Sequence, residues 1–179
     1  MEKNIERILL TEKQIQERIR QLGKTLSEEY AGKNPVFVGV LKGVVIFFAD
    51  MVRQITVPCQ FDFMWISSYQ GTESGDMTVK RDVSADLKGR HVVILEDIFE
   101  TGNSLNYTYY HLLAKEPASL KICTLLDKPD RRNPAVTLKP DYVGFTIPNE
   151  FVVGYGLDFD EYYRNLPYVG VLKPEAYQA

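Results

Sequence analysis

Cysteine is scarce in this chain: among 179 residues only Cys59 and Cys123 are cysteine, each inside an apolar run. That usage fits buried thiols in a reducing compartment better than a disulfide, and it leaves zinc without its usual thiolate ligands. Histidine is equally sparse. His91 and His111 stand far apart with no cysteine beside either, so they offer no metal-ligand spacing. Positive charge is not in surplus either, since 21 Lys and Arg against 24 Asp and Glu leave a net charge of -3. Without a basic field or a clear basic patch, nucleic acid is not an expected partner. No apolar run approaches the ~18 residues of a membrane span, and Met1-Glu-Lys-Asn-Ile-Glu-Arg7 lacks a signal-peptide core. The expectation is cytoplasmic residence with no membrane partner. Gly-x-x-x-x-Gly-Lys-Ser/Thr and Gly-x-Gly-x-x-Gly are both missing, which removes the motifs of P-loop nucleotide hydrolysis and dinucleotide binding.

What is present is an ordinary globular balance, 45% hydrophobic and 25% charged, in a length suited to one domain spanning 1–179. Thr11-Glu-Lys-Gln14 forms a capping-box start, and Ile15, Ile19, Leu22, Leu26 and Tyr30 recur at helical spacing until Gly32. Val36–Leu41 reads as a strand buried on both faces, followed by an apolar helix from Val44 to about Gln54. Phe61–Ile66, His91–Leu95, Leu120–Leu126 and Tyr142–Ile147 read as further strands, with shorter pieces at Phe151–Val153 and Tyr168–Val171. A helix from Ser104 to about Lys115 ends before Pro117. Residues 67–82, rich in Ser, Gly, Thr and charge, have little to bury and are predicted to be a mobile loop. Alternating strands and helices predict an α/β fold, a mostly parallel sheet with helices on both faces. Such sheets bind ligands at the carboxyl ends of their strands.

At one such end Glu96-Asp97 is followed closely by Glu100-Thr-Gly-Asn-Ser104. Gly102 allows backbone to approach a ligand, the first N–H groups of a helix attract an anion, and Thr101 and Ser104 add hydroxyls. This suits a phosphate monoester. Two adjacent carboxylates suit sugar hydroxyls or a hard cation such as magnesium.

An acidic pair, two apolar residues, an acidic residue, Thr-Gly and a hydroxyl resembles the diphosphoribosyl-binding motif of the type I phosphoribosyltransferases. Leu41-Lys-Gly43, Ser68-Tyr69, Leu126-Asp-Lys-Pro129 with Arg131-Arg132, and Asp141-Tyr-Val-Gly-Phe145 through Val153-Gly-Tyr-Gly-Leu-Asp158 look like the hypoxanthine-guanine branch of that family. The resemblance covers nearly the whole chain. It implies the type I fold with a small hood built from the chain ends. It also implies transfer of ribose 5-phosphate from phosphoribosyl pyrophosphate to a 6-oxopurine, with Mg2+ as cofactor.

On matching positions the resemblance places Glu96 and Asp97 on the ribose hydroxyls and magnesium, and Glu100, Thr101, Gly102, Asn103 and Ser104 around the 5'-phosphate. Lys42 and Gly43 with Arg132 would meet the pyrophosphate. Lys128 would donate to the 6-oxo group, Tyr142 would stack on the base with Ile98 on its other face, and the Val143 carbonyl would lie near the 2-position. Glu100 would handle the purine proton, and Ser68 and Tyr69 would belong to a closing lid.

Three positions depart from the family pattern, and one of them, Thr146, stands where the family usually has an acidic strand residue, a change with no physical account. Glu100 replaces a usual Asp, adding one methylene of reach. Asn149 replaces an Asp that supports a second magnesium, which implies weaker second-metal binding. Assembly as a homodimer or homotetramer is implied as well. Two alternatives stand beside this reading: an enzyme of the same reaction preferring xanthine or guanine, and a non-catalytic regulator on the same fold.

Overall fold

The computed structural model describes residues 2–68 and 77–177. Its main sheet has six strands in the order β4-β3-β2-β5-β6-β7: β2 (Val36–Leu41), β3 (Gln60–Ser68), β4 (Met77–Arg81), β5 (His91–Phe99), β6 (Ser119–Asp127) and β7 (Tyr142–Thr146). All neighbours are parallel except β3 and β4. Alternation along the strands feeds two cores. Val36, Val38, Val92 and Ile94 face one side with Leu105 and Leu112 of α3 (Asn103–Leu113), while Phe37, Val93 and Leu95 face the other. There they meet α1 (Glu12–Glu29) and α2 (Val45–Val52). These strands therefore read as unbroken apolar runs because both faces are covered.

The Thr11 capping box forms as the sequence indicates, with Thr11 and Gln14 exchanging bonds. The expected hood is also present. β1 (Ile5–Leu10), β9 (Val169–Leu172) and β8 (Val152–Val153) form a separate antiparallel sheet from the two chain ends.

Two differences from expectation bear on the site. β5 extends four residues past Leu95, because its ladder with β6 continues to Phe99 opposite Asp127; Glu96 and Asp97 thus stand on a rigid strand rather than in a loop. Within the segment expected to be a loop, Ser67 and Ser68 end β3, and Met77–Arg81 pairs with it as β4. That strand lies at the sheet edge, with little to bury and charges along it, as edges commonly have. Tyr69 and the side chain of Ser68 fall outside the described residues.

The returning arm of this hairpin is fastened by Asp62. Its buried carboxylate accepts from Ser84 N at 2.6 Å, Ala85 N at 2.8 Å, Ser84 Oγ at 3.1 Å and Phe63 N at 2.8 Å. Burial pushes this carboxyl up, but the bonds from Ala85, Phe63 and Ser84 outweigh it and hold it below the usual range. Because the folded pKa is the lower one, the stabilisation is complete above the unfolded value of ~3.9 and disappears as pH falls through the folded value. Asp62→Asn is expected to cost about 2–3 kcal/mol at neutral pH. It should also flatten the loss of stability below about pH 4, as read from urea unfolding across pH.

Candidate active site

Sheet order reverses between β2 and β5, since the chain leaves β2 for β3 on one side and later places β5 on the other. A crevice opens at the carboxyl ends of strands at such a switch point. Here the turn Lys42-Gly43 after β2 abuts Asp97 of β5: a Cβ built on Gly43 would lie 1.9 Å from Asp97 Oδ2. On its other side Gly43 touches the hood, where a Cβ on Gly156 would lie 2.0 Å from the Gly43 carbonyl oxygen. The peptide between Leu41 and Lys42 is cis.

A cleft of about 210 Å³ joins sheet to hood, lined by Asp97, Ile98, Glu100, Lys128, Phe151, Val152, Leu157 and Asp158. Lys128 is 4% exposed. Its Nζ donates to Glu100 Oε1 at 2.9 Å, and Arg131 Nε lies 3.5 Å from the same oxygen. A buried ammonium facing a cleft is a strong donor for any acceptor that enters. Ile98 and Phe151 give that cleft apolar walls, and the outer side of the Phe151 ring stacks on Tyr177 with centroids 4.6 Å apart.

The acidic end differs in character. Glu96 is buried and its Oε2 has no hydrogen-bond partner among the described residues. Loss of solvent, with Asp97 adjacent, pushes Glu96 well above the ordinary carboxylate range. Asp97 is pushed up to about 6, first by loss of solvent; the nearby charge of Arg164 pulls it down and that of Asp158 pushes it up. A buried carboxylate with an unanswered oxygen, next to a half-buried one that lines the cleft, is a donor set that fits a hard divalent cation.

Between the two ends lies Glu100-Thr-Gly-Asn-Ser104. Gly102 caps α3 at φ 83°, a conformation that glycine adopts without strain. The loop is clipped from behind by Asn133, whose N donates to the Thr101 carbonyl at 3.0 Å and whose Nδ2 donates to Asn103 Oδ1 at 2.8 Å. Ser104 sits in the first turn of α3 with its carbonyl accepting from Thr108 Oγ1. The α3 N-terminus is thereby presented beside Glu100 as a fixed anion cradle.

Residues 7–160 match the family described as the phosphoribosyl transferase domain. The chain belongs to that family. It is 50% identical over 179 residues to the hypoxanthine-guanine phosphoribosyltransferase of Streptococcus pneumoniae R6, covering 99% of this chain and 98% of the relative. It is 51% identical to the enzyme of that name from Lactococcus lactis subsp. lactis, covering 99% and 96%. The crystal structure of a hypoxanthine phosphoribosyltransferase from Staphylococcus aureus superposes with a TM-score of 0.94 at 44% identity, covering 99% and 96%.

Within this phosphoribosyltransferase the structure gathers Lys42, Gly43, Asp97, Ile98, Glu100 and Lys128 around one crevice, with Glu96 buried on the same strand. Four expected residues are placed elsewhere. Tyr142 and Val143 begin β7 opposite Cys123 and Thr124, four residues or ~13 Å down the sheet from the level of Asp127. The Tyr142 hydroxyl bonds to Glu29 at the end of α1, and the Val143 carbonyl accepts from Arg18 Nη2 at 2.7 Å. Neither can face a base at the other end of the sheet; Phe151 and Val152 line the cleft instead.

Arg132 pairs with Asp127 and packs over the Phe99 ring, 3.1 Å from its centroid, beneath Gly102. It supports the loop from below. The cation that stands near Asp97 and Lys42 is Arg164 of the hood, held by Asp158 at 3.0 Å. Asn149 lines a neighbouring hollow with Glu100, Thr101 and Arg131, whereas the carboxylate adjacent to Asp97 is Asp158. The signal for Phe151, Asp158 and Arg164 was their position just before β8 and in the connection from β8 to β9, which meets the crevice only after folding.

Proposed function

We propose that this phosphoribosyltransferase works in purine salvage, converting hypoxanthine or guanine and phosphoribosyl pyrophosphate to the nucleoside monophosphate and pyrophosphate. The observation that carries this reading is the convergence of Lys128 with Ile98 and Phe151 on a cleft that also holds Asp97 and Asp158, with the Lys42-Gly43 turn against Asp97. The names borne by the relatives support it.

A flat base enters between Ile98 and Phe151 with its 6-oxo oxygen on Lys128. Adenine offers an amine donor there and is refused by a group that only donates. Glu96 and Asp97 receive the ribose hydroxyls, and the Thr101 to Ser104 loop receives the 5'-phosphate. A purine nitrogen then bonds to the anomeric carbon as the carbon–oxygen bond to pyrophosphate breaks. Lys42 and Arg164 neutralise the departing charge. Glu100, released from Lys128 by the base, accepts or orients the imidazole proton. Glu96 and Asp97, with Asp158 at hand, would hold Mg2+, which supplies further neutralisation of the diphosphate. Among the described residues no three His, Cys, Asp or Glu side chains form a ready-made cage, so substrate oxygens and water would complete its coordination. The closing role of Ser68 and Tyr69 belongs to this proposal and rests on the family resemblance alone.

A spectrophotometric assay with hypoxanthine, phosphoribosyl pyrophosphate and magnesium is the test. IMP formation that stops on chelation is expected. Tight binding of the sugar phosphate with no turnover would instead favour a regulator.

Homodimerisation is part of the same reading. On α2, Val45 and Ile46 are exposed, as are Phe61 and Trp65 on β3, and a helix apolar on both sides normally finds cover. Ile46→Glu is expected to convert a dimer to a monomer in sedimentation velocity; an unchanged sedimentation coefficient would place the interface elsewhere. The two free cysteines, and the lack of any described helix long and apolar enough to cross a membrane, are compatible with the proposed cytoplasmic location.

A further inference from the structure

Glu161 places one carboxylate oxygen between two cations. Its Oε2 lies 3.0 Å from Lys42 Nζ and 3.4 Å from Arg164 Nη2. Lys42 belongs to the turn after β2 and Arg164 to the hood, so this oxygen bridges sheet and hood at the mouth of the crevice. The backbone around it is held in an uncommon shape. Asp160, Glu161 and Tyr163 have φ of 52°, 66° and 74°, values that residues other than glycine keep only where their surroundings impose them. The Glu161 N–H donates to Asp158 Oδ2 at 3.0 Å, which turns the side chain toward the cations. The hydrogen bond from Lys42 holds the Glu161 carboxyl below its ordinary range, so it is charged at neutral pH.

We propose that Glu161 is a positioning residue that stands in for the substrate's diphosphate, holding Lys42 and Arg164 at the crevice mouth until the pyrophosphate group displaces it. This rests on the function proposed above and adds to it a determinant of affinity. Lys42 and Glu161 are both more than half exposed, at 51% and 63%. Such a contact is weak as a source of stability but sufficient as a competitor. A ligand's apparent affinity falls by the fraction of molecules whose binding groups are already engaged. Removing the carboxylate also removes a negative charge facing an anion. Glu161 therefore makes diphosphate binding weaker and its release faster.

Glu161→Gln keeps the shape and removes the charge. In steady-state kinetics it is expected to lower the KM for phosphoribosyl pyrophosphate and the inhibition constant of inorganic pyrophosphate about three- to tenfold, with the KM for hypoxanthine unchanged. Glu161→Asn, suited to a positive φ, should reproduce the shift should the Gln variant fold poorly. In a Lys42→Met background the same substitution should shift the KM for the sugar diphosphate by a smaller factor, because only Arg164 is left for Glu161 to occupy. An unchanged or raised KM in both charge-removing variants, with wild-type melting temperature, overturns the proposal. Absence of IMP formation by the unmutated enzyme would refute the functional reading itself, so the two failures are separable.

Discussion

Lys128→Ala is expected to lower kcat/KM for hypoxanthine about 100- to 1000-fold, equivalent to about 3–4 kcal/mol, while leaving the KM for phosphoribosyl pyrophosphate within a fewfold of wild type. A charged donor in a closed cleft is worth more than one in water, because its partner has no solvent alternative once bound. The same substitution should raise the relative use of adenine, since the group that refuses an amine is gone. Stability is a separate matter. Glu100 loses its partner, but its side chain is 37% exposed and Arg131 stands 3.5 Å away, so the freed carboxylate is not stranded in an apolar interior. A fall in melting temperature of only a few degrees is expected in calorimetry. If kcat/KM for hypoxanthine stays near wild type, Lys128 is not the base donor.

Gly43→Ala should be nearly as damaging by a different route. The new methyl would sit 1.9 Å from Asp97 Oδ2, and the turn cannot retreat because Gly156 meets the Gly43 carbonyl from behind. A side-chain carboxylate yields more easily than backbone, so Asp97 moves. Catalytic geometry tolerates little displacement, and about 1 Å can cost 100-fold. The expected result is a loss in kcat/KM for phosphoribosyl pyrophosphate of about 100-fold with folding retained. Near-wild-type kinetics would show that Asp97 does not need its present position.

The sequence announced the fold through features that local physics controls. Capping at Thr11, buried runs such as Val36–Leu41, and the helix that opens just after Gly102 each depend on a few adjacent residues, and each formed where expected. β4 was missed because an edge strand with one neighbour buries little and has no apolar pattern to show. The site was legible where its chemistry is consecutive, from Glu96 to Ser104, and along the Lys128 turn. It was misread where the resemblance was carried onto Tyr142 as the base platform: Tyr142 lies at the amino end of β7, opposite to where ligands bind. Phe151, Asp158, Glu161 and Arg164 owe their places at the crevice to the hood folding back over the sheet. The strands that make the hood, β1, β8 and β9, come from opposite ends of the chain, and no local pattern reports that closure. Arg132 shows the converse case, a cation in a motif that folding turned inward onto Asp127 and Phe99.

In the proposed function Lys128, Ile98 and Phe151 form a pocket for a 6-oxopurine beside a sugar-diphosphate site. Turnover of hypoxanthine, guanine, xanthine and adenine by the purified enzyme, each with phosphoribosyl pyrophosphate and magnesium, tests it most directly. Nucleotide formation from hypoxanthine or guanine is expected, with adenine slower by at least about 1000-fold in kcat/KM. Adenine turned over as fast as the oxopurines, or none of the four turned over at all, would contradict it.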